Sequence, residues 1–465
     1  MKHLHLLYTL LFGMAVFLFF GLAYPHHLHY QEQYQLFLFD STYVWEMVKQ
    51  PGGVADLLGR FCTQFFLYAW VGAMIIALLL SVIQILMLQL VGRGWLYALS
   101  FVPSFLIWLF LLDENALLGG VWAVLLTLLA IWVYVMVPGG WLRRILIIVT
   151  FPILYWIALG GSHYYRFPTV TPYLLYAAWL SAVILPLIAR FFKIQGPLCE
   201  TVAFQSRFKV LSARVWRCYQ CLTFLLVAVV MDIIVWNNSN FKAERVMQYD
   251  FMARHQQWNR ILQTINTEKP NNQIGVTVQN LALAMNGMLL ERMADFNQNG
   301  IAGLLPDVKT DATSPLPTAE AFYQLGMINV AQRTVFEAQE AILDFQQSGR
   351  CYKRLAQTNL INGNYAVARK YLTALQKTLF YREWANETLL LLGNEEAIAK
   401  HPEYAHLRQW AYKNDFYFSD HTTPEMLEDL YSHNADNRMA YQYLLAYYML
   451  TGDRERFNQF MSKKQ

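Results

Sequence analysis

Seven apolar stretches occupy most of the first 239 residues: 6–23, 64–90, 95–112, 117–137, 143–160, 171–189 and 219–236. Each is close to the ~20 residues that carry an α-helix through a ~30 Å hydrocarbon layer. Inside lipid the backbone finds no water to bond with, so a lone apolar stretch of this length has only the helix open to it. The first half is therefore expected to be a bundle of about seven transmembrane helices. The run LLYTLLFGMAVFLFFGLA at 6–23 follows a short basic start, as in a signal peptide. It exceeds the usual ~7–15 apolar residues and no A-x-A site follows, so it reads as an uncleaved anchor. Trp95, Trp141 and Trp236 stand at segment ends, where amphipathic rings favour the membrane interface.

Charge divides the chain at the same place. Residues 1–239 carry 13 Lys/Arg and 8 Asp/Glu, whereas residues 240–465 carry 23 and 24. The second part therefore has the charge density of a soluble domain, and it is nearly neutral. The net charge of +4 lies beside membrane segments and gives no reason to expect nucleic acid. With the N-terminus in the cytoplasm, Lys2, Arg93, Arg143, Arg144, Arg190, Lys193, Arg207, Lys209, Arg214 and Arg217 fall inside, against one acid, Glu200. Only Lys49, Arg60 and Arg166 fall outside. Basic residues accumulate on the cytoplasmic side, so this orientation is preferred, and seven crossings place residues 240–465 outside the cytoplasm. In 204–217, Phe204, Phe208, Leu211 and Val215 share one helical face, with Arg207, Arg214 and Arg217 off it. That pattern predicts a cytoplasmic amphipathic helix on anionic lipid.

After Trp236 the sequence turns polar with helical spacing. A loop rich in Pro and Gly at 299–317 is the main interruption. Residues 322–345 and 352–375 repeat a pattern that appears again at 441–460. Phe322, Leu325, Gly326 and Ala338 mark the first copy, and Tyr352, Leu355, Ala356, Gly363, Tyr365, Ala368 and Leu372 the second. Tyr441, Leu444, Tyr448 and Gly452 mark the third. Small residues let paired helices approach, glycine turns the chain between them, and aromatics fill the seam to the next pair. These stretches resemble tetratricopeptide-like hairpins. The resemblance implies a helical-repeat domain over 240–465 that binds a protein or envelope partner, with the named residues in repeat packing. A structural cap on the membrane domain is the plainer alternative.

Candidate chemistry is sparse. His26, His27 and His29 with Glu32 are possible metal ligands, but only His29 and Glu32 have a facing helical offset. Interface anchoring is the preferred role, and no metal or cofactor is expected. Cys218 and Cys221 form a lone CxxC with no second pair to complete a zinc site. Transport is poorly supported, because Asp232 is the clearest acid within a membrane segment and lies near its outer end.

The outward loop 24–61 is the longest polar interruption of the first half. Helical spacing predicts interfacial pieces over 28–49 and 54–63, hinged at Pro51-Gly52-Gly53. Such a loop after the first helix of a seven-helix block resembles the membrane module of GT-C-type glycosyltransferases that use polyprenyl-phosphate sugars. The resemblance implies a loop acid, Asp40 or Glu32, as base or metal ligand, with His163 and Arg166 as phosphate partners. Those acids are eight apart rather than close together, and capping an interfacial helix is the competing role for Asp40. The whole chain is also similar to an uncharacterised family of bacterial multi-pass membrane proteins, through QLFLF…PGG…GRFCTQFF (35–66), LALAMNGMLLERM (281–293) and NLINGNYAVARKYL (359–372). The leading expectation is an all-α inner-membrane protein with an extracytoplasmic repeat domain that binds a partner. Glycosyl transfer is the alternative.

Overall fold

The computed structural model describes residues 2–92, 96–137, 140–157, 172–195, 213–307, 314–342, 346–412 and 422–462. Among these residues there is no strand. The chain forms two compact units, one of residues 1–32 and 39–241, the other of residues 33–38 and 242–465.

The first unit contains α1 (Lys2–Leu18), extended by a π turn over Phe19–Ala23, then α2 (Pro25–Gln31), α3 (Ser41–Val48), α4 (Gly53–Thr63) and α5 (Ala69–Val91). There follow α6 (Val102–Phe110), α7 (Leu118–Met136), α8 (Trp141–Ile157), α9 (Pro172–Gln195) and α10 (Ala213–Asn238). Among the described residues four stretches are long and apolar enough to cross a membrane: Leu4–Ala23, Ala69–Val91, Leu118–Met136 and Arg217–Asn238. Three expected segments give less. Tyr97–Phe110 and Tyr173–Ala189 are shorter apolar helices, and α8 carries Pro152 within its 17 residues. The expected cytoplasmic amphipathic segment lies mostly outside the described residues, as does Trp95.

α5 is central and packs on α1, α6, α7 and α9. Polar side chains join these apolar helices. Thr9 donates to Gln84 Oε1 at 2.7 Å, Gln84 Nε2 donates to Ser100 Oγ at 2.9 Å, and Ser104 Oγ donates to the Leu80 carbonyl at 2.8 Å. Between apolar helices in lipid, where water offers no drive to associate, such bonds hold neighbours together. α4 lies on α7 at a closer approach. A Cβ on Gly59 would stand 2.4 Å from the Gly119 nitrogen and 2.7 Å from its Cα.

The outward loop partly follows expectation. The hinge is present, with Gly52 at φ 79° and α4 over Gly53–Thr63. The piece expected over 28–49 is instead broken: α2 ends at Gln31, a short 3-10 turn covers Glu32–Tyr34, and residues 35–40 are not helical. The break has a local cause. Asp40 starts α3 as its N-cap, its Oδ1 accepting from the Thr42 and Tyr43 amides at 3.0 and 3.1 Å, which requires extended backbone at the cap (φ −137°, ψ 129°).

The second unit is built of helical hairpins. Its helices are α11 (Phe241–Arg254), α12 (Trp258–Glu268), α13 (Gln273–Met285), α14 (Leu289–Arg292), α15 (Pro315–Leu325), α16 (Ile328–Ala341) and α17 (Gly349–Ile361). They continue with α18 (Tyr365–Gln376), α19 (Arg382–Leu389), α20 (Glu395–Lys400), α21 (Tyr404–Trp410), α22 (Thr423–His433), α23 (Arg438–Thr451) and α24 (Arg454–Ser462). From α15 to α19 each helix packs on the next.

One turn recurs. After α15, the Met327 amide donates to the Phe322 carbonyl and the Gly326 amide to Tyr323. The same pair of bonds closes α13 at Gly287, α17 at Gly363 and α23 at Gly452, each glycine at positive φ. This is the Schellman arrangement, in which a left-handed residue lets the chain bond back onto the last carbonyls. α11 ends with the same bonds, yet the left-handed residue is Gln256, at φ 54°. A side chain there is strained by about 1–2 kcal/mol, against roughly 0.5–1 kcal/mol of extra unfolded-state freedom for glycine. Gln256→Gly is therefore expected to raise stability by about 0.5–1 kcal/mol in thermal unfolding. Gly326→Ala should do the reverse, since its Cβ would also meet Trp410 Cβ at 2.9 Å.

Candidate functional site

The repeat residues read from the sequence are mostly in the interior of the second unit. Phe322, Leu325, Ala338, Leu355, Ala356 and Ala368 are buried, with Leu325, Ala338, Ala356 and Ala368 fully so. Gly326 and Gly363 occupy the hairpin turns, and Tyr352 and Tyr365 are half-buried. Tyr352 meets the Tyr371 ring edge-on at 5.1 Å across the α17–α18 pair.

The other face of α17 was not singled out in the sequence. Arg350, Lys353, Arg354 and Gln357 follow at offsets of three and four, which places them in one row along the helix. Their partners come from several helices. Arg350 Nη1 and Nη2 donate to the Asp250 carboxylate on α11 at 2.6 and 2.7 Å, a two-pronged ion pair. Arg350 Nη1 also donates to Gln33 Oε1 at 2.9 Å. Arg354 pairs with Glu320 of α15, and its guanidinium lies 3.7 Å over the Tyr323 ring. Tyr323 Oη donates to Glu403 at 2.8 Å, and Gln357 Nε2 donates to the same carboxylate at 3.2 Å. Lys353 makes no ion pair among the described residues, and its ammonium stands 4.9 Å over Trp384.

These groups lie in protein rather than water, and their ionisation responds. Burial alone lowers the Arg350 affinity for its proton, but the charge and bonds of Asp250 more than offset this and the group ends above its usual value. Arg354 follows the same pattern with Glu320. Burial pushes the Tyr323 phenol well above its usual value, helped by Glu403. Lys353 moves down, by burial first and then by Arg254 and Arg354 nearby. The row is thus a charged, mostly matched network buried across α11, α15, α17 and the start of α21.

Gln33 brings in a distant part of the chain. Residues 33–38 count with the second unit although they follow α2 in sequence. Gln33, Tyr34, Gln35, Leu36 and Phe37 are all buried.

Of the catalytic candidates, Asp40 caps α3 and Glu32 is buried. His163 and Arg166 lie outside the described residues. Among the described residues no group of three or more His, Cys, Asp or Glu is placed to hold a metal ion. His27 Nε2 donates to the Leu111 carbonyl at 2.9 Å, and His29 Nδ1 is bonded to the Phe66 carbonyl at 3.1 Å, so both rings serve packing.

Residues 1–465 match the model of a family described as Family of unknown function (DUF6057). The chain belongs to that family. No curated protein and no solved structure matches it. In this DUF6057 chain the match spans both the apolar helices and the hairpins.

Proposed function

We propose that the chain is an integral protein of a bacterial inner membrane whose second unit is an extracytoplasmic, tetratricopeptide-like domain that binds a protein or envelope partner. The observation that carries this reading is the run of paired helices from α15 to α19, each packed on the next. Stacked helix pairs of this kind form the concave surface on which repeat proteins bind their partners, and Lys353 of α17 is half-buried with no ion pair among the described residues. Apolar seams between the helices are built from small residues. Four apolar helices supply the anchor, and the basic bias of the expected inner loops favours a cytoplasmic N-terminus and seven crossings.

A photo-crosslinking residue at Lys353 tests the binding reading in cells. It should give a discrete adduct that is absent with the same residue at the exposed Leu390 on α19's flank. Equal labelling at both positions, or none at either, overturns it. A cysteine introduced at Asn386 tests orientation: modification by a membrane-impermeant reagent in intact cells is expected, and labelling only after lysis overturns the extracytoplasmic placement.

Glycosyl transfer by Asp40, with Glu32, His163 and Arg166 around a lipid phosphate, is the second reading. Asp40 already has a structural role that explains its presence. Asparagine caps a helix about as well as aspartate, while alanine loses about 1 kcal/mol. Asp40→Asn is therefore expected to leave expression, stability and partner capture unchanged, and Asp40→Ala to loosen α3. A specific loss of transfer to an acceptor in Asp40→Asn, with the protein intact, would establish the enzyme instead.

A further inference from the structure

We propose that residues 33–38 are a resident ligand of the second unit, held in cis on a seat that a partner segment with a neutral amide side chain takes in exchange. This rests on the binding reading above and names the chemistry of what is bound. Three observations carry it. The segment counts with a body that otherwise begins at residue 242. It leaves the 3-10 turn at Tyr34 and runs without helix from Gln35, in a unit made of helices, and backbone outside a helix must find its hydrogen-bond partners elsewhere. Its residues from Gln33 to Phe37 are nevertheless buried.

The anchor shows why exchange is feasible. The Arg350 charge is matched by the two-pronged bond to Asp250, and Gln33 adds a third, uncharged acceptor at 2.9 Å. When the carboxamide leaves, the ion pair remains complete and no charge is stranded. The same geometry sets a preference. A carboxylate in place of the amide would bring a second negative charge beside Asp250, in a buried site where like charges repel strongly. The seat therefore selects glutamine or asparagine over glutamate or aspartate, followed by apolar residues where Leu36 and Phe37 stand.

The test uses full-length protein in lipid nanodiscs and a fluorescent peptide of residues 31–40. Leu36→Ser with Phe37→Ser loosens the resident segment. The peptide is expected to bind this variant about tenfold more tightly than the wild type, and a peptide with glutamate at the Gln33 position about tenfold more weakly than the native peptide. In hydrogen exchange, the wild-type amides of 33–38 should open before those of Gly349–Ile361. If the double variant does not fold, Gln33→Ala removes only the amide and serves in its place. No peptide binding, equal binding of the glutamate peptide, or opening of 33–38 only with global unfolding overturns the inference. Loss of the Lys353 adduct with peptide binding preserved would instead remove the partner-binding reading and leave the exchange standing.

Discussion

Arg350→Leu is expected to destabilise the second unit by about 3–5 kcal/mol, because it strands the buried Asp250 carboxylate without its counter-charge. For a unit of this size that is a fall of about 6–20 °C in Tm. Asp250→Leu strands the guanidinium and should cost a similar amount. Replacing both, Arg350→Met with Asp250→Leu, should recover most of the loss, since a buried ion pair exchanged for packed apolar side chains is often neutral. The contrast between singles and double separates a network that sets specificity from one that supplies net stability. Thermal unfolding followed by hydrogen exchange in α11 and α17 reads all three. Singles that unfold no earlier than the wild type would mean that the Asp250–Arg350 bonds are solvated in solution.

Gly59 should be as sensitive, for a different reason. Its Cβ would enter the backbone of Gly119, not a side chain that can swing aside. Gly59→Val must therefore push α4 off α7, and overpacking of this kind costs about 3 kcal/mol or more where backbone has to move. Gly119→Ala gives a graded control, because its nearest neighbour is Asp56 Cα at 3.1 Å. The expected order of monodisperse protein in size-exclusion chromatography is wild type, then Gly119→Ala, then Gly59→Ala, with Gly59→Val last. Unchanged behaviour of Gly59→Val would rule out the close crossing.

Much of the helical architecture was legible because its causes are local. Gly326, Gly363 and Gly452 announce turns, as only glycine takes positive φ freely. Ala338 and Ala368 announce close helix pairs. Gln256 takes the same turn without glycine, so nothing in its identity signalled it. The row at Arg350, Lys353, Arg354 and Gln357 was missed since a polar helical face ordinarily meets water. Its burial depends on Asp250, Glu320 and Glu403, which lie 100, 30 and 53 positions away from Arg350 in the numbering. Asp40 was identified as a possible cap, and its side chain does cap α3. The break after Glu32 was not foreseen, because Leu36, Phe37, Leu38 and Phe39 form a continuous apolar run, whose pattern alone does not tell a helix from a non-helical segment.

The membership of 33–38 in the second unit has a consequence for how the chain is made. At about 5–20 residues per second, Arg350 leaves the ribosome roughly 15–60 s after Gln33. For that interval Leu36, Phe37 and Leu38 exist without the body they belong to. Closing so long a loop costs little more entropy than closing one half its length, so the delay is a matter of time rather than of final stability. The nascent chain must keep these three apolar residues from pairing elsewhere until the last third of synthesis, and a chain halted before residue 350 would be left without the partners that cover them.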